Sequence, residues 1–261
     1  MNRFALPLLC SAAVLGASSL VGQTISLTTL GSAYTQNFDT LSNIAGSTTN
    51  SSLPVGWTLT ETGGGARDNE QYAVDSGVST TGDTYSYGAA GSTERALGSL
   101  QSGTLISTFG ATFTNNTGGA IDTLDIAYTG EQWRLGSAAR TDSLVFAYSL
   151  NATSLSSGTW TTVTSLTFVT PSTIIVGAMN GNGTGNRTTL SASINTGVIS
   201  SGATFWIRWT DTNAIGADDG LAVDDFSLAA NATVPEASTY ALGLGALALG
   251  WAVIRRRWPQ R

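Results

Sequence analysis

The sequence predicts an all-β body, an antiparallel jelly-roll-like β-sandwich, flanked by an N-terminal signal helix and a C-terminal transmembrane helix. Gly, Ser, Thr and Asn dominate between residues 23 and 231, apolar residues there come in short alternating runs, and turn signals recur about every ten residues, which is the sandwich or barrel pattern. No long stretch of helical periodicity interrupts that region. Each end of the chain instead carries a continuous apolar run beside arginine.

Residues 1–22 read as a secretory signal peptide. Met1-Asn2-Arg3 is weakly basic, Phe4 to Val14 is apolar, and Ala17 to Gly22 is a small-residue zone suited to cleavage before Gln23. The only cysteine, Cys10, lies inside it. The expected mature chain therefore has no disulfide, no thiol catalyst and no cysteine-ligated metal.

Residues 23–231 have the size of one β-sandwich ectodomain. Alternation with β-branched or aromatic content predicts strands at 24–30, 34–38, 56–61, 84–88, 94–100, 104–115, 121–129, 142–150, 159–169, 188–195, 203–210 and 221–228. Asn115-Asn116-Thr117-Gly118-Gly119 accepts the positive φ of a tight turn and is expected to join two adjacent antiparallel strands. The glycine-rich run Asn180 to Asn186 is expected to be a mobile loop. Six arginines face sixteen carboxylates here, a formal charge of −10, with neither lysine nor histidine. An acidic surface argues against nucleic acid and anionic lipid as partners. Without His, Lys or Cys, serine hydrolases, zinc peptidases and Schiff-base enzymes are excluded, and only carboxylate chemistry survives. The body is expected not to be an enzyme.

Three groups of residues in the body bear on chemistry. Asp211-Thr212-Asn213, Asp218-Asp219 and Asp224-Asp225 offer hard oxygen ligands of the kind calcium takes, ~6–8 at a time. Their spacing is not that of an EF-hand, and solvated turn carboxylates are the competing reading. In Phe205-Trp206-Ile207-Arg208-Trp209, alternation puts Phe205, Ile207 and Trp209 in the core and Trp206 with Arg208 on the other face, either as a platform for a sugar ring or as a tryptophan covered by its neighbour. Glu131-Gln132-Trp133-Arg134, with Glu94-Arg95 upstream, supplies acids that a glycosidase would need ~5–9.5 Å apart, or an arginine–carboxylate tie between strands.

The last element begins at Val234-Pro235-Glu236-Ala237-Ser238. Tyr240 to Ile254 is uncharged, and Ser238 and Thr239 extend the run to seventeen residues, the lower limit of the ~17–25 needed to cross a bilayer. Arg255, Arg256 and Arg257 would hold its end on the cytoplasmic side. Val234, Pro235, Glu236 and Ser238, then an apolar span at about 238–254, then a basic end at 255–261, resemble the PEP-CTERM sorting signal of Gram-negative bacteria, with Ala237 in place of the second proline. The resemblance implies an exosortase-type processing enzyme as partner, and membrane anchoring or release to the cell surface or matrix.

The body has a resemblance of its own. Gln36 to Leu41, Leu53 to Trp57, Asp83 to Gly88, Ser92 to Ser99, Gly130 to Arg134 and Asp219 to Leu228 are similar to secreted bacterial jelly-roll domains, and the closing strand to MAM-type and carbohydrate-binding jelly rolls. That likeness implies a structural calcium joining the first and last strands, which adds Asp39 to Asp218, Asp219, Asp224 and Asp225 as candidate ligands. The resulting expectation is a non-catalytic exported cell-envelope or extracellular-matrix protein. The alternative is a carbohydrate (exopolysaccharide)-binding module with Trp133, Trp160, Trp206 and Arg208 as candidate contacts. A carboxylate-dependent glycoside hydrolase or lyase is the third reading.

Overall fold

The computed structural model describes residues 23–232. Two sheets pack face to face. The first contains β1 (Ile25–Leu27), β3 (Trp57–Thr62), β7 (Ile106–Asn115), β9 (Ser143–Ser149), β10 (Thr161–Thr162), β11 (Phe168–Val169) and β14 (Thr204–Asp211). The second contains β2 (Ala33–Gln36), β4 (Tyr72–Asp75), β5 (Asp83–Tyr87), β6 (Ala96–Leu100), β8 (Ile121–Leu135), β12 (Gly177–Ala178), β13 (Arg187–Ile199) and β15 (Gly220–Asn231). The first sheet runs β1-β7-β14-β9-β10 and the second β12-β8-β15-β6-β5-β4.

The alternation read in the sequence is what assembles the core. In β14, Phe205, Ile207 and Trp209 are buried while Trp206, Arg208 and Thr210 are half-buried on the opposite face. Trp209 sits at the centre, within 6 Å of the rings of Trp57, Phe109, Tyr128, Phe146 and Phe226, which come from both sheets. Offset and edge-on pairs of this kind each contribute ~0.5–1.5 kcal/mol beyond area burial. The sheets are in close contact at Gly130 of β8, where an added Cβ would lie 2.3 Å from the Phe168 ring.

Several expectations change. The expected flanking signal and transmembrane helices are not found among the described residues: the only helical turn there is a 3-10 turn at Thr164–Leu166, and no helix among them is long and apolar enough to cross a membrane. The signal segment and the tail, with Val234, Pro235, Glu236, Ser238, Arg255, Arg256 and Arg257, lie outside the described residues. Pairing is not wholly antiparallel, since β1 runs parallel to β7 and β4 parallel to β5. The Asn115–Gly119 turn does not join paired strands: β7 and β8 belong to different sheets, so it crosses the sandwich, with Asn115 Nδ2 donating to the Gly119 and Ile199 carbonyls. The Asn180–Asn186 segment is tied down, because Asn186 Nδ2 donates to the Asn180 carbonyl and Gln132 N to the Asn186 carbonyl.

Gly130→Ala is expected to lower stability by ~1–3 kcal/mol, the cost of overpacking a closed core, measured as a lower urea midpoint; an unchanged midpoint would show that Phe168 can move aside.

Candidate functional site

The acids expected to gather as one calcium site are found in separate places. Asp219 is fully buried and held by Arg140 Nη2 at 3.2 Å, Gly136 N at 2.7 Å and Gln132 Nε2 at 3.1 Å. Asp218 accepts from Ala214 N at 2.7 Å. Asp39 accepts from Asn37 Nδ2 and Arg95 N. Asp225 is exposed, and its left-handed φ of 49° marks a bulge in β15. Only Asp224 of that set joins a compact group of carboxylates, and its companions are Glu131 and Glu94.

The register explains this group. Strand β15 lies between β8 and β6, with Ala222 opposite Glu131 and Asp224 opposite Thr129, so Asp224 and Glu131 share the outer face of the second sheet. Glu94 approaches from the residues just before β6. The bulge after Asp224 interrupts pairing until Ser227, which is how β-bulges re-aim side chains. One carboxylate oxygen of each residue lies within 4.8 Å of the others. Glu131 is fully buried and Asp224 is 5% exposed. Glu94 Oε1, Glu131 Oε1 and Asp224 Oδ1 are all buried with no hydrogen-bond partner. The other Glu131 oxygen accepts from Trp133 Nε1 at 2.9 Å, and the other Glu94 oxygen accepts from Asn182 Nδ2. Burial first, then like charge, pushes Glu131 up to about 7. Burial, followed by the neighbouring carboxylates Asp225, Glu131 and Glu94, pushes Asp224 up to about 9.

Three hard oxygens this close fit a divalent cation. Two ligands of one calcium, each at ~2.3–2.6 Å, are at most ~5 Å apart. With neither imidazole nor thiolate in the set, the donors suit calcium over zinc or copper.

A second arrangement occupies the outer face of the first sheet. Trp206 lies opposite Thr112 of β7 and Ser149 of β9, and Arg208 opposite Gly110 and Ala147. The Arg208 guanidinium sits 4.0 Å over the Trp160 ring and donates to the Leu155 carbonyl at 2.5 Å, while Trp160 Nε1 donates to the Ser157 carbonyl at 2.7 Å. Trp160, Trp206 and Arg208 are half-buried. Trp133 does not belong with them. It is 1% exposed, stacked on Tyr87 and covered by Gly181, where a Cβ would meet its indole nitrogen at 2.3 Å.

The remaining acids do not form a hydrolase pair in an open groove. Glu61 and Asp83 are both buried; Glu61 accepts from Thr84 N, Thr84 Oγ1, Asn69 N and Glu70 N, and Asp83 pairs with Arg67 at 3.1 Å. The Thr84 bonds tie β3 to β5, and the bonds to Asn69, Glu70 and Arg67 fasten the loop between β3 and β4.

No family model matches this chain, and no curated protein matches it. Among solved structures it is similar to the CBM22-1 xylan-binding domain of Paenibacillus barcinonensis Xyn10C (10% identity, 80% of this chain and 100% of that one, TM-score 0.39). It is also similar to the K2 cleaved adhesin domain of Lys-gingipain (14%, 78% and 99%, TM-score 0.38) and to TmCBM61 in complex with β-1,4-galactotriose (10%, 54% and 74%, TM-score 0.29). None reaches a TM-score of 0.5, and the residues of this chain carry the functional reading. The PEP-CTERM resemblance is corrected, since no family model supports it and no membrane-spanning helix exists among the described residues. With it go the exosortase partner, the membrane attachment, the anchored location and the main reading as a cell-envelope or matrix protein addressed by such a tail.

Asp83 gives the fold a dependence on pH. Burial, then Glu61, pushes its carboxyl up to about 8, against the pull of Arg67 and the Thr84 amide. An unfolded aspartate releases its proton near ~3.9, so between about 4 and about 8 the folded state holds a proton that the unfolded state has lost. That contribution is present in full below about 4 and falls away as pH rises to about 8. The melting temperature of Asp83→Asn is expected to fall less steeply than that of the unsubstituted protein across this window; parallel profiles would show that Asp83 keeps an ordinary pKa.

Proposed function

We propose that this domain is a non-catalytic carbohydrate-binding module, with sugar on the outer face of the first sheet and a structural calcium ion on the outer face of the second. The observation that carries the sugar reading is the half-buried pair Trp206 and Arg208 on one strand face, with Trp160 fixed beneath the guanidinium. An aromatic ring offers a flat apolar body at low entropic cost, and the neighbouring hydroxyls and guanidinium supply directional polar contacts. Thr60, Thr108 and Thr210 continue the same face, with the Thr108 and Thr210 hydroxyls 3.2 Å apart. The cation reading is supported by the three unpartnered buried oxygens of Glu94, Glu131 and Asp224. These residues come from three neighbouring stretches of one sheet, so an ion there would fasten β8, β15 and the approach to β6 to one another.

Trp206→Ala is expected to abolish retention in affinity electrophoresis against a panel of neutral and acidic polysaccharides while leaving the melting temperature within a few degrees. Retention unaltered by the substitution would remove this face from binding, and no retention on any glycan would sink the reading.

For the ion, calcium is expected to raise the melting temperature and chelator to lower it, through binding to the folded state alone. Glu131→Gln, which keeps the Trp133 contact within reach but removes the charge, should abolish the response. A calcium shift that survives Glu131→Gln would place the ion elsewhere.

A further inference from the structure

A second polar site lies at Arg95, and neither the sugar face nor the carboxylate group uses it. The residue is 1% exposed, yet the ion pairs among the described residues involve Arg67 and Arg140 and not Arg95. Its side-chain hydrogen bonds all go to uncharged oxygens: Nε donates to Ser86 Oγ at 2.8 Å, and Nη2 to the carbonyls of Ser86 and Asp75. Nη1 makes none. A buried charge is ordinarily paired, because desolvating it without a counter-charge costs several kcal/mol.

Beside Arg95 lies a pocket of about 230 Å³, lined by Arg95 together with Asn43, Asp75, Ser76, Gly88 and Ala89. Gly88 fixes where the guanidinium lies. A Cβ on Gly88 would come within 2.2 Å of Nη1, so the guanidinium abuts the bare backbone at the pocket wall. Two carboxylates act on it through space, those of Glu94 and Asp75. Both are engaged elsewhere. Asp75 accepts from Gly77 N at 2.7 Å and from Ser79 N, and Glu94 turns to Asn182 and the carboxylate group. The carboxamide of Asn43, also in the lining, donates to the Ser92 carbonyl at 3.2 Å.

We propose that this pocket receives a carboxylate on a ligand of monosaccharide size, bound through Arg95 Nη1. The size matches one sugar ring, and an arginine with an open N–H supplies the charge-assisted bond that carboxylates favour. Two sources share this chemistry, a uronic acid residue of a polysaccharide and a free small carboxylic acid. The uronate source rests on the carbohydrate reading above; the free acid does not.

The test is an NMR titration of the protein, in chelator so that calcium-bridged binding is excluded, with sodium glucuronate, glucose and sodium acetate. Glucuronate is expected to shift the amides of residues 88–95 and glucose to leave them alone. Acetate binding as well as glucuronate would assign the free acid as the source, and glucuronate alone the uronic acid. Arg95→Gln and Ala89→Leu, the second filling the pocket from its exposed rim, should each weaken binding about tenfold or more, the equivalent of one charged hydrogen bond of ~1.4 kcal/mol. Because Arg95→Gln removes a buried group that the fold also uses, Ala89→Leu is the deciding variant if Arg95→Gln fails to fold. Equal binding of glucose and glucuronate, no binding of either acid, or full affinity in Ala89→Leu overturns the proposal. Retention on neutral polysaccharide, followed in parallel through Trp206, separates failure of this pocket from failure of the carbohydrate reading.

Discussion

The constraint on which this structure turns is the burial of negative charge with few cations to meet it. The body has six guanidinium groups for sixteen carboxylates, and Glu61, Asp83, Glu131, Asp142, Asp211, Asp219 and Asp224 are all buried. A carboxylate out of water must be paired, hydrogen-bonded or protonated. The chain uses each solution in a different place. Arg140 lies between Asp142 and Asp219. Asp211 accepts from Ser99 Oγ and Gln101 N, and burial with Asp142 nearby holds it well above the usual carboxylate range. Glu61 is met by three backbone amides and a threonine hydroxyl, while Asp83 shares Arg67 and is pushed toward its protonated form. Glu94, Glu131 and Asp224 each keep one buried oxygen with no hydrogen-bond partner, and burial pushes Glu131 and Asp224 toward their protonated forms.

That pattern divides the molecule by face. The aromatic cluster around Trp209 fills the space between the sheets, so neither sheet needs its outer face for the main core. The second sheet covers part of its outer face with a small core of its own, Tyr85, Tyr87, Leu100 and Trp133, under the Asn180–Asn186 segment. This cover desolvates the carboxylate group and removes Trp133 from solvent. The first sheet leaves Trp206 and Arg208 half-open, with the Arg208 guanidinium over the Trp160 ring. Structural charge and exposed aromatic surface thereby fall on opposite sides of one sandwich.

Alternation made most of the fold legible. Strands at 56–61, 104–115, 142–150, 203–210 and 221–228 have close counterparts in β3, β7, β9, β14 and β15, and the inward set of β14 is the one its pattern indicated. β4 and β12 escaped because four residues and two residues are too short to show a period. The 159–169 run broke into β10, a 3-10 turn and β11, since its alternation persists through a stretch that pairs only at its ends. Turn chemistry at Asn115–Gly119 told of a reversal but not of a change of sheet, which is decided by tertiary packing. The site was less legible for the same reason. Glu94, Glu131 and Asp224 are separated by 37 and 93 positions in the chain and meet only through the pairing of β8 with β15 and β15 with β6. Proximity in sequence pointed instead to Asp218 and Asp219, which Arg140, 79 positions from Asp219, had already claimed.

Why the chain does not place an arginine at the third group, as it does at Asp142 and Asp219, follows from dimensions. A guanidinium carbon stands roughly 3.5–4 Å from each oxygen that its N–H groups bond. Three oxygens arrayed around it would be spread well beyond the 4.8 Å found here. A bare ion of calcium size brings them to ~2.4 Å from its centre and delivers two charges in that volume. Arg187 sits opposite Glu131 on the exposed strand β13 and acts on it only through space. Moving it inward would bury a long side chain against Trp133 and the Asn180–Asn186 segment, both already packed. Without an ion, burial and then the neighbouring carboxylates raise Glu131 and Asp224 toward or above neutrality. The small separation that makes this group unfavourable as three charges is the separation that a compact hard cation would require of its ligands.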